Sequence, residues 1–367
     1  MEGGLSATPV LVLDPSVVEQ RFAELAAAFP GTEIHYAVKA NPEPAVLHRL
    51  VGSGSRFDVA SLGEVAGCLA AGASPAALCF GNPIKKPADV AAAYELGVRR
   101  FVTDSAEDLA VLAQHAPGAA VLCRLLVDDT GSATPFGGKF GCAPDAAVQL
   151  LAAARDAGLR AEGLAFHVGS QQLDPGAWRA PVALAAKVAA DAGLDDLTLD
   201  LGGGLPARYA TPVPALGEFA SAIRAAVAEN FARPPRLLLE PGRALVAGAG
   251  VIRAEVVRVS ARPGVDDRRW VYLDVGRYGG LAETEGEAIV YRLRVPSRSA
   301  SRTAPVVLAG PSCDGDDVLY RRARVELPVD LAAGDIVEIL SAGAYTASYA
   351  AVGFNGFPPL AVHVLGS

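Results

Sequence analysis

From Pro15 to about residue 245, short runs rich in β-branched, aromatic and leucine residues alternate with longer Ala- and Leu-rich stretches whose apolar positions recur at helical spacing. The runs predict strands centred on Ile34 to Val38, Arg56 to Ala60, Ala77 to Gly81, Arg100 to Thr103, Val121 to Leu125, Leu164 to Val168, Leu197 to Leu201 and Leu237 to Glu240. The stretches between them predict helices at Glu43 to Val51, Leu62 to Ala71, Pro87 to Leu96, Ala106 to His115, Asp145 to Ala157, Gly176 to Ala192 and Leu216 to Phe231. Strand and helix in regular alternation argue for a parallel sheet, and eight such units suggest a closed (β/α)8 barrel, an α/β fold. A preceding helix, Pro15 to Phe29, would take Asp14 as its N-cap.

Beyond about residue 245 the long helical spacers disappear. Strand-like runs remain at Val251 to Val259, Trp270 to Val275, Ala288 to Val295, Ala304 to Leu308, Asp335 to Leu340 and Leu360 to Leu365, which predict a C-terminal antiparallel β-domain of Greek-key, barrel-like form. The opening run Pro9 to Leu13 is expected to join it. The domain reading is therefore a barrel over residues 15–245 and a β-domain over residues 1–14 and 246–367, the latter completing the active site across a dimer. Pro296 to Thr303 and Thr130 to Gly141, the second with four glycines, read as mobile loops.

At 367 residues the chain exceeds the usual limit of one core, which agrees with two domains. No apolar run is long enough to span a bilayer and no basic-then-apolar leader is visible, so a cytoplasmic protein is expected. A net charge of -8 disfavours nucleic acid and anionic membrane, which bind through clustered Lys and Arg, and leaves a small molecule as the expected partner. Cys68, Cys79, Cys123, Cys142 and Cys313 form no close pair in sequence and no metal-finger spacing, so neither a disulfide framework nor a metal site is expected.

In such barrels the C-terminal strand ends carry the chemistry. Lys39 falls at the end of the first strand, Asp58 and Ser61 at the second, Arg124 at the fifth, His167 and Ser170 at the sixth, Gly202-Gly203-Gly204 at the seventh, and Glu240 with Arg243 at the eighth. Each alone has a plain structural reading: a surface lysine, a satisfied core histidine, a tight glycine turn. Together on one rim they suit an aldehyde-bearing pyridine with a phosphate tail. Lys39 would hold the aldehyde, and a glycine run with bare backbone N–H groups, helped by Arg243, would cradle the phosphate. Glu240 would keep the ring nitrogen protonated, His167 would lie flat against the ring, and Arg124 could pair with the ring hydroxyl.

Nine short stretches, spread over nearly the whole chain, carry a resemblance. They are Tyr36-Ala37-Val38-Lys39-Ala40-Asn41-Pro42, Phe57-Asp58-Val59-Ala60-Ser61, Lys139-Phe140-Gly141, Phe166-His167-Val168-Gly169-Ser170, Asp200-Leu201-Gly202-Gly203-Gly204 and Glu240-Pro241-Gly242-Arg243, then Gly310-Pro311-Ser312-Cys313-Asp314, Gly343-Ala344-Tyr345 and Phe354-Asn355-Gly356-Phe357. In this order they resemble the pyridoxal-phosphate decarboxylases of the ornithine and diaminopimelate decarboxylase family, which have an alanine-racemase-like barrel and a β-domain. The resemblance implies Lys39 as the Schiff-base lysine, Glu240 as partner of the pyridine nitrogen and His167 as the stacking residue. It gives the phosphate to Ser170, the Gly203 and Gly204 amides, Arg243 and the Tyr345 hydroxyl, with Gly242 beside them. It also makes Cys313 the donor of a proton to the α-carbon after carbon dioxide leaves, delivered by the second protomer of an obligate homodimer.

For the substrate, Asp314 directly after Cys313 resembles the ornithine-type enzymes, where diaminopimelate-type enzymes tend to carry Glu. Tyr345-Thr346-Ala347 and the terminal Phe-Asn-Gly-Phe point the same way. The chain departs from the eukaryotic-type pattern at Asp274-Val275-Gly276, where an Asn-Asp-Gly run is usual, so Asp274, one residue away, or a water would substitute for the second substrate-binding aspartate. Leu273 to Tyr291 resembles the bacterial ornithine/lysine branch. Decarboxylation of L-ornithine to putrescine is the expectation, with L-lysine to cadaverine beside it, and a diaminopimelate or other specialised decarboxylase as the alternative. A non-catalytic relative would be expected to lose Lys39, Cys313 or the phosphate loop, and a racemase would need a second base where Cys313-Asp314 stands. A nucleotide-binding reading of the glycines lacks the spaced third glycine.

Overall fold

The computed structural model describes residues 7–366, so the first six residues assigned to the β-domain from sequence lie outside the described part. Eight parallel strands close a barrel: Glu33–Ala37, Arg56–Val59, Leu78–Phe80, Arg100–Thr103, Ala120–Arg124, Arg160–Ala165, Thr198–Asp200 and Arg236–Leu239, each paired with its sequence neighbour and the last with the first. The sixth strand lies earlier than its apolar run suggested. It spans Arg160–Ala165, and residues 166–169 leave the strand to become rim.

The intervening helices begin where side-chain chemistry satisfies their free N–H groups. Ser61 Oγ accepts from Glu64 N, and Ser105 Oγ accepts from Asp108 N, capping Leu62–Ala70 and Ala106–His115. Pro44, Pro87 and Pro144 open three others, where a missing N–H costs nothing. The expected helix from Gly176 instead begins as a 3-10 turn, Pro175–Trp178, and becomes α-helical at Arg179–Asp191. Asp14 acts as foreseen for Pro15–Ala28, with Oδ1 accepting from Ser16 N at 2.9 Å.

Cys79, Val102, Leu122 and Ala165 form a buried cluster on adjacent barrel strands. The N-terminal strand ends are closed by ions: Arg100 donates to Glu162 Oε1 at 2.7 Å and to Glu33 Oε2 at 3.0 Å, and Thr198 Oγ1 donates to Glu162 at 3.2 Å. With that mouth filled by a structural network, the C-terminal rim is left to bind.

By compactness the chain divides into a unit of Glu19–Pro206 with Val213–Leu245 and a unit of the remaining segments, which include everything from Val246 onward. The second unit holds a sheet ordered Arg292–Arg294, Ile336–Leu340, Gly250–Arg262, Asp266–Leu273, Thr303–Ala309 and Val318–Pro328. The early strand Val10–Leu13 joins it as expected, pairing with Gly250–Arg262 and Ala361–Val364. The sheet is mixed, not wholly antiparallel: Asp266–Leu273 runs parallel to Thr303–Ala309, and Val10–Leu13 parallel to Ala361–Val364. Thr130 to Gly141, read as a loop, contains a short strand, Ser132–Thr134, hydrogen-bonded to Ser170–Gln172.

Candidate active site

Lys39 sits one step beyond the strand end it was assigned to. The strand stops at Ala37, and Val38–Ala40 forms a 3-10 turn that lifts the amine over the rim. Its Nζ donates to Asp58 Oδ2 at 2.7 Å; the Asp58 side chain is 5% exposed and that of Lys39 42%. The amine is thus anchored by a buried carboxylate while remaining reachable.

Three carboxyl groups converge below it: Asp58, Asp200 at the end of the seventh strand, and half-buried Glu240 just past the eighth. Burial, then the Asp200 and Asp58 carboxylates, pushes the Glu240 carboxyl well above the usual range. Burial also raises Asp200, to about 7. The crowding depends on Gly81: a Cβ there would collide with Asp58 Oδ1 and lie 3.3 Å from Glu240 Oε1.

His167 follows the sixth strand. Gly169 N donates to its Nδ1 at 3.0 Å, which leaves the proton of the neutral ring on Nε2. Burial, with Arg124 and Lys39 nearby, lowers its pKa well below the ordinary value, so the ring stays neutral. Phe136 meets it edge-on at 4.7 Å, and Arg124 lies over the Phe140 ring at 4.8 Å. Pairing of Arg124 with these aromatics was not foreseen.

Arg243 and Ser170 come together as expected. Arg243 is 3% exposed, and its Nη2 and Nε donate to Ser170 Oγ at 3.0 and 3.3 Å. Gly203 and Gly204 have no room for side chains: a Cβ at Gly203 would lie 2.7 Å from Glu240 O and 2.9 Å from His167 Nε2, and one at Gly204 2.6 Å from Gly169 O. Gly242 is buried between Glu240 and Arg243, and its carbonyl accepts from Leu245 N.

Within the β-domain, Cys313 and Asp314 are exposed on a loop tied down at both sides. Asn355 Oδ1 accepts from Cys313 N at 2.9 Å. Buried Asp317 accepts from Ser312 N at 3.0 Å and from Arg277 N at 2.8 Å. Burial and the nearby Asp314 carboxylate raise the Tyr278 phenol above its usual pKa. A cleft beside this loop is lined by Asp274, Tyr278, Ser312, Asp317, Phe354 and Phe357 among others. Asp274 lines it, but one of its oxygens is occupied by Glu255 N at 2.8 Å. Tyr345 holds φ +54, a left-handed conformation that a bulky residue adopts only when its surroundings enforce it.

Gly81, Asp200, Asn355 and Asp317 carry no separate signal in the sequence. Asp200 and Asn355 lie inside the stretches that carry the resemblance, but nothing in a linear pattern says which residue orders another. Cys68, Cys79, Cys123, Cys142 and Cys313 are free thiols, and the fold brings Cys123 and Cys142 to 3.6 Å despite their separation in sequence. Among the described residues no cluster of metal-ligating side chains occurs, and no helix is long and apolar enough to cross a membrane.

An anchored amine, a buried carboxyl pair, a neutral imidazole and an Arg–Ser pair beside a glycine turn, all on one barrel rim, are the donor set that pyridoxal phosphate requires, and they define a barrel enzyme of that cofactor class. The chain belongs to the pyridoxal-dependent decarboxylases: residues 16–247 match the family model described as "Pyridoxal-dependent decarboxylase, pyridoxal binding domain". It is 34% identical over 354 residues to the lysine/ornithine decarboxylase of Selenomonas ruminantium, covering 95% of this chain and 88% of that protein. It superimposes on the crystal structure of the lysine/ornithine decarboxylase from Vibrio vulnificus complexed with cadaverine with a TM-score of 0.87 at 32% identity, covering 99% and 96% of the two chains. It also superimposes on the arginine decarboxylase of Paramecium bursaria Chlorella virus bound to agmatine, with a TM-score of 0.89 at 28% identity and 98% of both chains covered. The cofactor is pyridoxal phosphate and the reaction is decarboxylation of an amino acid.

Proposed function

We propose that the protein decarboxylates L-ornithine to putrescine and, as a second reaction, L-lysine to cadaverine, acting as a cytoplasmic homodimer. The observation that carries the substrate reading is the exposed Cys313-Asp314 pair on a loop fixed by Asn355 and Asp317: it sets an anionic side chain, suited to a distal ammonium group, directly beside a thiol. The lysine/ornithine decarboxylases among its relatives support the same choice.

Bound pyridoxal phosphate supplies the electron sink that lets the substrate's α-carboxylate leave as carbon dioxide. Lys39 would hold the cofactor aldehyde before substrate arrives and later free the product amine. Asp58 keeps the Lys39 amine at the rim. Glu240 would face the ring nitrogen and hold its proton. His167, neutral and turned by the Gly169 N–H, would support one ring face and leave the other for reaction. Arg124 would stand on the ring-hydroxyl side. Arg243, Ser170, the amides of Gly203 and Gly204 and the Tyr345 hydroxyl would bind the phosphate, with Gly242 permitting the approach. A second protomer contributes Cys313, which returns a proton to the α-carbon, and Asp314, which binds the distal amine. Asp274 lies further along the substrate-binding cleft. Orientation of the scissile bond accounts for much of the acceleration.

The test is release of carbon dioxide from L-ornithine, L-lysine, L-arginine and meso-diaminopimelate by the cofactor-loaded protein. Release from ornithine exceeding that from lysine, and abolished in Asp314→Ala while the Cys313→Ala variant diverts or stalls product formation, is the expected result. A clear preference for arginine or diaminopimelate would overturn the substrate assignment and leave the reaction class intact.

A further inference from the structure

Asp200 has no task in the scheme above, yet it is among the most deeply buried charged groups of the barrel, 1% exposed. It ends the seventh strand immediately before the glycine turn. Its Oδ1 accepts from Gly202 N at 2.9 Å, and its Oδ2 is buried with no donor in reach. The carboxyl as a whole lies within hydrogen-bonding reach of the Glu240 carboxyl. Two ionised carboxylates cannot make that bond, whereas a pair sharing one proton can, and the orphaned oxygen is then satisfied.

The backbone fixes the pair as firmly as the side chains do. Glu240 N donates to Gly202 O at 2.9 Å, so the same residue that anchors Asp200 through its amide anchors Glu240 through its carbonyl. A change at Gly202 would move both carboxyls together, and its φ of +67 with the Phe166 carbonyl pressed against the Cβ position leaves no alternative to glycine.

We propose that Asp200 is a positioning residue of the cofactor's electron sink: held by the Gly202 amide, it shares one proton with Glu240 and thereby fixes both the rotamer of Glu240 and the supply of a proton to the ring nitrogen. The charges that face the pair are Asp58 and Lys39 from the first two strand ends and Arg124 from the fifth, with the Cys79 thiol on the third strand beside them. The carboxylates Asp58, Asp200 and Glu240 outnumber the cations near enough to neutralise them, and burial, with Asp58 adding to it, outweighs the Gly202 amide, the Glu240 bond and Arg124 to push Asp200 up to about 7, which favours a shared proton. A ring nitrogen that took up that proton would leave Glu240 ionised against it and without its bond to Asp200, while Asp200 would stay held by the Gly202 amide.

The inference rests on the assignment of Glu240 to the ring nitrogen, and the experiment separates the two. The holoenzymes to compare are wild type, Asp200→Asn and Glu240→Gln, by pH titration of the bound cofactor's visible absorption together with steady-state kinetics. Asparagine preserves the bond from Gly202 N and the volume but cannot carry the shared proton. The expected result is Asp200→Asn with cofactor affinity within about threefold of wild type, a titration displaced by about one pH unit or more, and kcat reduced at least about tenfold with KM little changed. A titration displaced in Glu240→Gln and unchanged in Asp200→Asn overturns the inference alone; one unchanged in both overturns the role of Glu240 and the inference with it. Loss of kcat in Asp200→Asn that excess pyridoxal phosphate restores, with no spectral displacement, marks a structural role and also overturns it. Should the Asn variant fail to fold, infrared difference spectra of the wild-type protein before and after cofactor addition decide: a protonated-carboxyl band at neutral pH that is lost on binding is expected, and its absence before cofactor is added refutes the shared proton.

Discussion

Lys39 Nζ and Asp58 Oδ2 lie 2.7 Å apart, an ion pair in which the carboxylate is buried and the amine is not. Removing the cation therefore has two consequences, loss of the group that captures the aldehyde and stranding of a buried negative charge next to Glu240. Alanine at position 39 confounds them. Lys39→Arg keeps the charge and the pair but cannot form a Schiff base. We expect Lys39→Arg to retain the wild-type melting temperature without cofactor, to resist borohydride fixation of pyridoxal phosphate, and to lose at least about 10³-fold in kcat/KM. Fixation of the cofactor in this variant would show that another amine does the work.

Gly203 gives a steric prediction. A methyl group there would press on the Glu240 carbonyl and His167 Nε2 at once, so Gly203→Ala must shift the eighth-strand end, the imidazole or both. The expected outcome is cofactor affinity lowered by at least about tenfold, with far-ultraviolet circular dichroism unchanged, since the barrel strands themselves are not touched. Gly217, on the helix Leu216–Asn230 with open space at its Cβ position, is the control: Gly217→Ala should leave binding unaltered.

The barrel was legible because short runs with apolar centres and charged ends alternate regularly with amphipathic helices, so order and length both announce them. The β-domain was less so, and Val318–Pro328 escaped. Arg321, Arg322 and Arg324 interrupt its apolar pattern, and the backbone N–H groups of Arg321, Arg322 and Ala323 donate to the Glu287 carboxylate rather than to a strand neighbour. A carboxylate arriving from a turn more than thirty residues away replaces the ladder there, and no local periodicity reports it. At the rim, residue types and their order on the strands pointed to the cofactor. The turn carrying Lys39, the edge contact of Phe136 on His167 and the pairing of Asp200 with Glu240 depend on how strand ends face one another around a closed barrel, which spacing along the chain does not encode.

At the opposite mouth, Arg100 joins Glu33 and Glu162, and the Glu162 side chain is only 4% exposed. Replacing Arg100 by methionine preserves much of the stem packing and leaves Glu162 with Thr198 and the weak 3.5 Å contact to Arg160. The cost should approach that of stranding a buried charge, about 3 kcal/mol. Because this network lies at the strand ends away from the cofactor rim, kcat measured below the lowered melting temperature should stay within about twofold of wild type. A large kcat defect with unchanged stability would contradict the division between a stabilising mouth and a catalytic one.

Glu64 connects that division to pH. Its Oε2 accepts from Ala60 N at 2.7 Å, closing the start of the helix after the second strand, yet burial raises its pKa from 4.5 to about 7, with Asp58 adding to the rise and the amide opposing it. A carboxyl that is easier to protonate folded than unfolded stabilises the fold fully below its unfolded value, and that stability is lost as pH rises through the folded one. The window is therefore about pH 4.5 to 7, with stability falling as pH increases. Glu64→Gln keeps an oxygen for the Ala60 amide and removes the ionisation. Between about pH 5 and pH 8 its unfolding free energy should gain about 1 to 2 kcal/mol relative to wild type, the full shift being discounted for a side chain that is not wholly buried. Urea unfolding of the two holoenzymes at saturating pyridoxal phosphate measures this directly. A difference that is constant across the range would mean that Glu64 ionises at its ordinary value and that the crowding of carboxyls does not extend as far as the helix start.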